Sequence, residues 1–295
     1  MKNKIKYPII LYIALLFLIS SVKGICQNNV SEINVLTLEN RLMFGNYLYK
    51  EHDYLRAINE FHDYLRFENN DTIRFKAADC FHKMGRLDEA ADNYKGLFFN
   101  STLMSEARLA YIKSKFDERQ FASFRNLVVQ KTNFAEKYTH EIFRLKNITY
   151  LLDNTFLPER NEFIESFPQN YRTDIENFYN RKLHPEYKSP VYASILSAII
   201  PGAGKIYTGN IGDGITSLLF TGVLSYLSYT NFDNDHKTRA WVFTGLAGYF
   251  YAGNIYGSAA SAHIYNADVN FTYKSDLEQF LNSVNYFLPE FGFLK

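Results

Sequence analysis

A glycine-rich stretch in the second half of the chain has the residue types from which phosphate-binding loops are built. It reads PGAGKIYTGNIGDG over residues 201–214 and contains one lysine, Lys205. A nucleotide-binding P-loop needs a glycine five residues before its Gly-Lys pair, and a serine or threonine directly after that pair. Ile199 and Ile206 stand at these two positions, and the glycine spacing also misses the dinucleotide-binding pattern. The stretch is therefore not expected to bind a nucleotide.

No other group of side chains has the spacing of a catalytic or metal site. The histidines form no metal-ligand spacing with cysteine, aspartate or glutamate, and no Gly-x-Ser-x-Gly elbow occurs. Asp233, Asp235 and His236 adjoin in one polar segment, which is typical of a solvated loop. We expect a protein without enzymatic activity, metal or cofactor. The seven histidines are His52, His62, His82, His140, His184, His236 and His263.

Length and charge limit the class of partner. The 295 residues are enough for one sizeable core or for two smaller units. The formal net charge is +1, so the chain has no excess of positive charge with which to bind nucleic acid. The 26 phenylalanines and 23 tyrosines suit helical packing and membrane interfaces equally.

The first 26 residues have the pattern of a secretory signal peptide. Three lysines in the first six residues precede the uncharged segment YPIILYIALLFLISSV at residues 7–22. Gly24 and Cys26 are the expected small residues of the cleavage site, so the mature chain would begin at Gln27. One alternative is an uncleaved anchor helix. The other is a lipid-carrying Cys26, although Ile25 stands where the bacterial lipoprotein signal has a small residue. Each interpretation sends the following region out of the cytoplasm.

Residues 44–65 and 77–97 contain two copies of one helical pattern. They read FGNYLYKEHDYLRAINEFHDYL and AADCFHKMGRLDEAADNYKGL. Small residues are expected where two helices cross closely, and large residues beside them. The positions that align at a spacing of 33 residues are Gly45 with Ala78, Leu48 with Phe81, Tyr54 with Leu87, Ala57 with Ala90, and Phe61 with Tyr94.

This pattern resembles the tetratricopeptide repeat, a helix–turn–helix unit of about 34 residues. The resemblance is carried by HDYLRAINEF and GRLDEAADNY, and it implies stacked helix pairs whose concave face binds a polypeptide. The usual closing proline is absent, and Asn69 stands there in the first copy. A third stretch, EARLAYIKSKFDERQFASFRNLV, keeps the rhythm of a helix pair without the signature. An ordinary helical bundle with coincidental spacing is the alternative.

A linker is expected at HPEYKSP, where the composition changes sharply. It closes an extracytoplasmic helical-repeat domain over residues 31–188. The next domain, 189–268, begins with the short apolar segment VYASILSAII and is followed by a C-terminal helical tail, 269–295.

Two uncharged segments in this second domain are candidates for membrane spans. Residues 214–230 and 240–262 are 17 and 23 residues long, close to the roughly 20 needed to cross a bilayer. A short polar loop joins them. The expected fold is therefore all-α, with tetratricopeptide-like repeats followed by a two-span transmembrane helical hairpin. A glycine-rich hairpin buried in a soluble protein is the alternative.

The second span carries the residues expected to hold the hairpin together. Gly253, Gly257 and Ser261 follow one another at four-residue intervals, and small residues on one face allow close helix packing in lipid. Asn254 places a polar amide at membrane depth. Because an unpaired amide in lipid is costly, it should face the partner helix.

The loop and hairpin together resemble a glycine-rich membrane segment of uncharacterised bacterial envelope proteins. The shared theme is Ser-Pro, then Pro-Gly-x-Gly-x-x-Tyr-x-Gly, then a hydrophobic hairpin. The resemblance implies an integral membrane location and an envelope-biogenesis context, and it brings no known chemistry. The residues that carry it are Ser189, Pro190, Pro201, Gly202, Gly204, Tyr207 and Gly209.

The sequence therefore favours a non-enzymatic, membrane-anchored scaffold or adaptor at the inner membrane, with its repeat domain on the periplasmic side. It would bind a protein partner through the repeat groove and the lipid bilayer through the hairpin, but no nucleic acid. The alternative is a membrane transporter or enzyme subunit with a site among Lys205, Tyr207 and Asn254. The expected groove residues, mostly from the first helix of each repeat, are Asn46, Tyr49, Lys50, Asp79, His82 and Lys83.

Overall fold

A computed structural model describes residues 37–294 of the chain. The predicted signal peptide and its cleavage site lie outside the described residues. Over residues 37–294 the structure contains thirteen α-helices and four single-turn 3-10 helices, and no strand. The prediction of an all-α protein is therefore confirmed.

The described residues form two compact units. The first contains residues 37–104 together with 293–294, and the second contains residues 105–292. The predicted linker at 184–190 thus lies inside the second unit. The first unit holds four α-helices: α1 (Leu38–Lys50), α2 (Tyr54–Leu65), α3 (Asp71–Lys83) and α4 (Leu87–Lys95).

The helices of the first unit repeat at the spacing expected from the sequence. The first residues of α1 and α3 are 33 positions apart, and so are the first residues of α2 and α4. Side-chain oxygens cap three of these helices by accepting a hydrogen bond from the backbone N–H three residues on. The capping residues are Thr37, Asp53 and Asn70.

The aligned small residues lie where helices approach closely. Ala57 and Ala90 are both 0% exposed, and Phe61 beside them is also fully buried. A Cβ atom on Gly45 would lie 2.8 Å from the ring of Phe61, so only glycine fits there without a shift of that ring. The geometry is that of a helical repeat, and the tetratricopeptide assignment stays a prediction.

A third helix pair continues the rhythm of the first two. It consists of α5 (Met104–Asp117) and α6 (Phe121–Val129). The turn inside each of the three pairs contains one residue in the left-handed backbone region, with φ between 60° and 75°. These turn residues are His52, Gly85 and Arg119.

Residues 139–183 add three helices to the second unit. They are α7 (Thr139–Leu152), α8 (Arg160–Glu165) and α9 (Arg172–Leu183). Large side chains fill the interior of this part, as in a soluble helical protein. Phe163 and Phe167 are fully buried, with ring centroids 5.4 Å apart.

The rest of the second unit consists mainly of α10 (Pro190–Ile199), α11 (Ala203–Tyr207), α12 (Ile211–Asp233) and α13 (Lys237–Ser283). Helices α12 and α13 pack together as a hairpin. Helix α13 is 47 residues long and runs without a break through position 268, so the expected tail continues the hairpin helix. Among the helices described, none has both the length and the apolar character required to cross a membrane.

Candidate functional site

The six residues predicted to line a groove of the first unit divide into surface and buried positions. Tyr49 and Asp79 are buried, so their side chains are not available as surface contacts. The remaining four keep at least part of their side chains at the surface of the unit. They are Asn46, Lys50, His82 and Lys83.

Tyr49 and Asp79 belong to a hydrogen-bond network inside the first unit. The Tyr49 hydroxyl donates to Asp79 Oδ2 at 2.5 Å, and the Tyr94 hydroxyl donates to Asp79 Oδ1 at 3.5 Å. Burial raises the pKa of both tyrosine hydroxyls, and the charge of Asp79 raises it further. Both hydroxyls therefore keep their protons and act as donors. The network joins α1, α3 and α4 and is structural.

Cys80 is a buried free thiol next to this network. Burial raises its pKa to about 12, and the nearby Asp79 carboxylate acts in the same direction. Because the thiolate is the reactive form of cysteine, this side chain is inert at neutral pH. Its position agrees with a structural role.

The glycine-rich loop brings three helix backbones close together. Gly202 has φ +88°, and a Cβ atom on it would lie 2.0 Å from the carbonyl oxygen of Gly214. A Cβ atom on Gly204 would lie 1.9 Å from the carbonyl oxygen of Ala193. The Gly204 N–H donates to Ser197 Oγ at 2.9 Å. The glycines therefore permit backbone contact between α10, α11 and α12, and this N–H group has an internal acceptor.

The other motif residues shape the two ends of α11. Pro201 is half-buried before the helix, and Gly209 has φ +84° in the turn that leads to α12. The Tyr207 ring packs edge-on against Tyr192, with centroids 5.2 Å apart. Its hydroxyl accepts a hydrogen bond from the Ser189 N–H at 3.4 Å. Tyr207 thus contacts the start of α10.

Hydroxyl groups and small side chains fill the inside of the α10–α13 region. Three hydroxyl pairs between helices have oxygen–oxygen distances of 2.6–2.7 Å, and alanines are buried beside them. The pairs are Ser197 with Ser258, Thr208 with Ser261, and Ser228 with Thr244. The alanines are Ala193, Ala240 and Ala262.

Large apolar side chains lie on the outside of the same helices. This reverses the usual arrangement of a helical protein in water, which buries such side chains. The exposed residues of α12 include Leu218, Leu219, Phe220, Val223, Tyr226 and Tyr229, and those of α13 include Trp241, Val242, Leu246, Tyr249, Phe250, Tyr256 and Ile264.

The small residues predicted to share one face of α13 have different surroundings. Gly253 has open space where its Cβ would be. A Cβ atom on Gly257 would lie 3.4 Å from Lys205 Cε. Ser261 pairs with Thr208 across the helix interface. Gly257 and Ser261 therefore face α11, whereas Gly253 is on the outside.

Asn254 is buried, and its side chain has no partner. It is 4% exposed, and neither its amide oxygen nor its amide nitrogen forms a hydrogen bond. The buried Thr221 hydroxyl on α12 is also without a partner. Because buried polar groups are usually paired, these two side chains stand out among the polar groups inside α10–α13.

A pocket of about 970 Å³ lies elsewhere in the second unit. Its walls come from residues 151–157, 177–187 and 265–274, and no motif predicted it because these segments are far apart in the sequence. Lys182 projects from α9 there and donates to the carbonyl oxygens of Tyr150 and Asp153. Burial lowers the pKa of this lysine. Its ammonium group thus caps the end of α7.

No cluster of three metal-ligating side chains occurs within residues 37–294. Comparison of the chain with protein-family models, with curated proteins and with solved structures finds no match. Functional conclusions therefore rest on the geometry of this chain.

Proposed function

We propose that the protein is a non-enzymatic helical-repeat scaffold embedded in the membrane of a bacterial cell envelope. Helices α10–α12 and the part of α13 that packs against them would lie in the bilayer, and the helical repeats would bind a protein partner outside it. One observation carries the membrane part of the proposal. The hairpin buries small and hydroxyl-bearing side chains and exposes large apolar ones.

The energetics of apolar surface favour a lipid environment for this arrangement. In water, each Å² of exposed apolar surface costs about 25 cal/mol relative to burial, and soluble monomers rarely expose contiguous apolar patches above a few hundred Å². In lipid, large apolar side chains face the acyl chains, whereas small residues and interhelical hydrogen bonds hold helices together. The hydroxyl pairs inside the α10–α13 region fit this second environment.

Membrane fractionation of the full chain tests this proposal. We expect the protein to stay in the membrane pellet after an alkaline carbonate wash and to be extracted by a maltoside detergent. A triple variant, Leu219→Lys, Val223→Lys and Tyr226→Lys, changes only exposed positions of α12 and should lose the membrane-bound pool. Release of the wild-type chain by carbonate as a soluble monomer would refute the membrane part.

The proposed topology places the repeats and the end of α13 on the periplasmic side and the hairpin turn in the cytoplasm. Single cysteines at Ser123, Asn234 and Ser283 in a Cys80→Ala background report on it. After the outer membrane is opened, a thiol reagent that cannot cross the inner membrane should label Ser123→Cys and Ser283→Cys but not Asn234→Cys. Equal labelling at all three positions would contradict a spanning hairpin.

The partner surface is proposed at the exposed groove residues of α1 and α3. Lys50 and Lys83 occupy equivalent positions, 33 residues apart, and both are exposed. We expect Lys50→Glu with Lys83→Glu to abolish recovery of a stoichiometric partner in mild-detergent purification. Lys237→Glu, an exposed position in the hairpin, is the matched control and should retain the partner. If both variants recover it equally, the groove is not the binding surface.

A further inference from the structure

Polar side chains between α11, α12 and α13 lie on two successive levels, and those of the second level are unpaired. On the first level, Lys205 Nζ donates to Ser217 Oγ at 2.9 Å, and its Cε lies beside Gly257. Thr221 follows Ser217 by one turn of α12, and Asn254 precedes Gly257 by nearly one turn of α13. Because both steps lead towards the hairpin turn at residues 234–236, Thr221 and Asn254 occupy the next level.

These polar groups have more hydrogen-bond donors than there are acceptors bonded to them in the described residues. The Lys205 ammonium group has three N–H donors, and the structure gives it one hydrogen bond and no ion pair among residues 37–294. The Asn254 amide and the Thr221 hydroxyl have no partner at all. We call Lys205, Ser217, Thr221 and Asn254 the hairpin polar site.

The chemistry of the hairpin polar site selects the class of ligand. A water molecule would satisfy the amide but would leave the lysine charge uncompensated in a partly buried position. A cation is disfavoured by that same charge. An oxyanion supplies the missing acceptors and the missing negative charge, and such charge-assisted hydrogen bonds are the strong ones. The Asn254 amide oxygen is also unpaired, and a protonated oxyanion such as hydrogen phosphate has an O–H group that can donate to it.

The spacing of the two levels also suits an oxyanion. One helical turn rises 5.4 Å, and a single oxygen atom of an oxyanion that accepts two hydrogen bonds of about 2.8 Å can bridge donors about a turn apart. Lys205 is half-buried, whereas Thr221 and Asn254 are buried, so the lysine is the part of the site nearest to the surface. We propose that the hairpin polar site binds a phosphate group, either of a lipid headgroup or of a free anion. This inference goes beyond the scaffold function and does not depend on it.

Thermal unfolding of the full chain in a maltoside detergent tests the site. The first probe is inorganic phosphate, titrated at constant ionic strength against chloride. The second is dihexanoyl phosphatidic acid, compared with dihexanoylglycerol, which has the same chains and no phosphate. We expect saturating ligand to raise the Tm by about 5 °C. Lys205→Met and Asn254→Leu should each abolish that shift.

Two matched variants keep the test specific. Lys237→Met and Asn234→Leu change the same residue types at exposed positions in and beside the hairpin turn and should retain the full shift. Asn254→Ala is a second variant in case leucine perturbs folding. A response to inorganic phosphate identifies a free anion as a sufficient ligand, and a response to phosphatidic acid alone identifies a lipid headgroup. The proposal is overturned if neither probe shifts the Tm, or if Lys205→Met retains the shift.

Discussion

The helical repeats and the hairpin are both all-helical, but they bury opposite classes of side chain. In the repeats, aromatic residues such as Phe61 and Tyr94 are buried beside alanine, and exposed charges surround them. In helices α10–α13, Ser197 and Ser258 are fully buried, whereas Leu219 and Tyr256 are exposed. Helix content is therefore a poor guide to environment. The residues on the inner face of each helix carry that information.

The two regions also depend on different interactions. Burial of large apolar side chains stabilises the repeats through the hydrophobic effect, which is non-directional and proportional to area. The hairpin interior relies on close backbone approach and on directional hydrogen bonds between hydroxyl groups. A larger side chain at a closely packed glycine of this region should therefore be more destabilising than a larger side chain at a buried alanine of the repeats.

The largest expected effect is at the glycine-rich loop. Gly204→Ala places a methyl group against the Ala193 carbonyl, so α10 and α11 must separate, and we expect a loss of about 3 kcal/mol or more in unfolding free energy. Denaturation of the full chain in detergent measures it. Gly222→Ala is the control, since its Cβ meets nothing within 4 Å, and it should stabilise the helix by about 0.5–1 kcal/mol. Equal effects at both glycines would show that close backbone approach at Gly204 does not limit the size of the side chain there.

Overpacking of the repeat core should have the next largest effect. Ala57→Leu and Ala90→Leu insert three carbon atoms at fully buried positions and should each cost about 1–3 kcal/mol. Ala122→Leu, at an exposed helical position, should change stability by less than about 0.5 kcal/mol. Thermal melts of the three variants compare them directly. A large loss at Ala122 alone would contradict the packing described for the repeats.

Alkaline pH should destabilise the repeats more than the hairpin. Cys80 has its pKa raised from the ordinary 9.0 to about 12, so above about pH 9 this thiol keeps its proton in the folded chain and loses it in the unfolded chain. The stabilisation is complete below that pH and is lost as pH rises towards 12, by up to about 1.4 kcal/mol per pH unit. Unfolding free energy measured between pH 8 and 11 should fall less steeply for Cys80→Ala. Identical slopes for the two chains would show that the thiol does not carry this dependence.

The smallest expected effect is at the turn of the second repeat. Gly85 has φ +75° and open space around it, so Gly85→Ala should cost about 1 kcal/mol through backbone strain alone. Gly85→Asn should cost less, because asparagine tolerates the left-handed region. Chemical denaturation of both variants tests this order. The reverse order would indicate that the turn changes conformation.

The parts of the fold that follow from local pattern could be predicted from the sequence. The 33-residue spacing of Ala57 and Ala90 predicts the positions of α2 and α4 correctly, because small residues are needed wherever two helices cross closely. The contact between Tyr49 and Asp79 spans 30 residues, and no periodicity predicts it. Ala135 is buried although it lies outside any repeat signature, because its burial depends on the packing of the second unit.

The candidate site, too, could be predicted only as far as local sequence pattern determines it. Asn254 stands out in the sequence as a polar residue in an uncharged segment, and its burial follows from that pattern. Its lack of a partner does not, because that depends on which side chains the neighbouring helices place around it. The uncharged segment 214–230 does not mark the bounds of its helix, since α12 runs from Ile211 to Asp233. The polar residues at its ends reduce hydropathy without ending the helix.

The unbroken length of α13 has a mechanical consequence. At 1.5 Å per residue, its 47 residues form a rod about 70 Å long, more than twice the roughly 30 Å thickness of a bilayer's hydrocarbon core. Two ion pairs connect the far end of α13 to other parts of the second unit. Arg181 pairs with Asp276 at 2.9 Å, and Arg119 pairs with Glu278 at 2.8 Å. If the hairpin lies in lipid as proposed, the length of α13 would fix the distance of α9 and of the α5–α6 turn from the membrane surface.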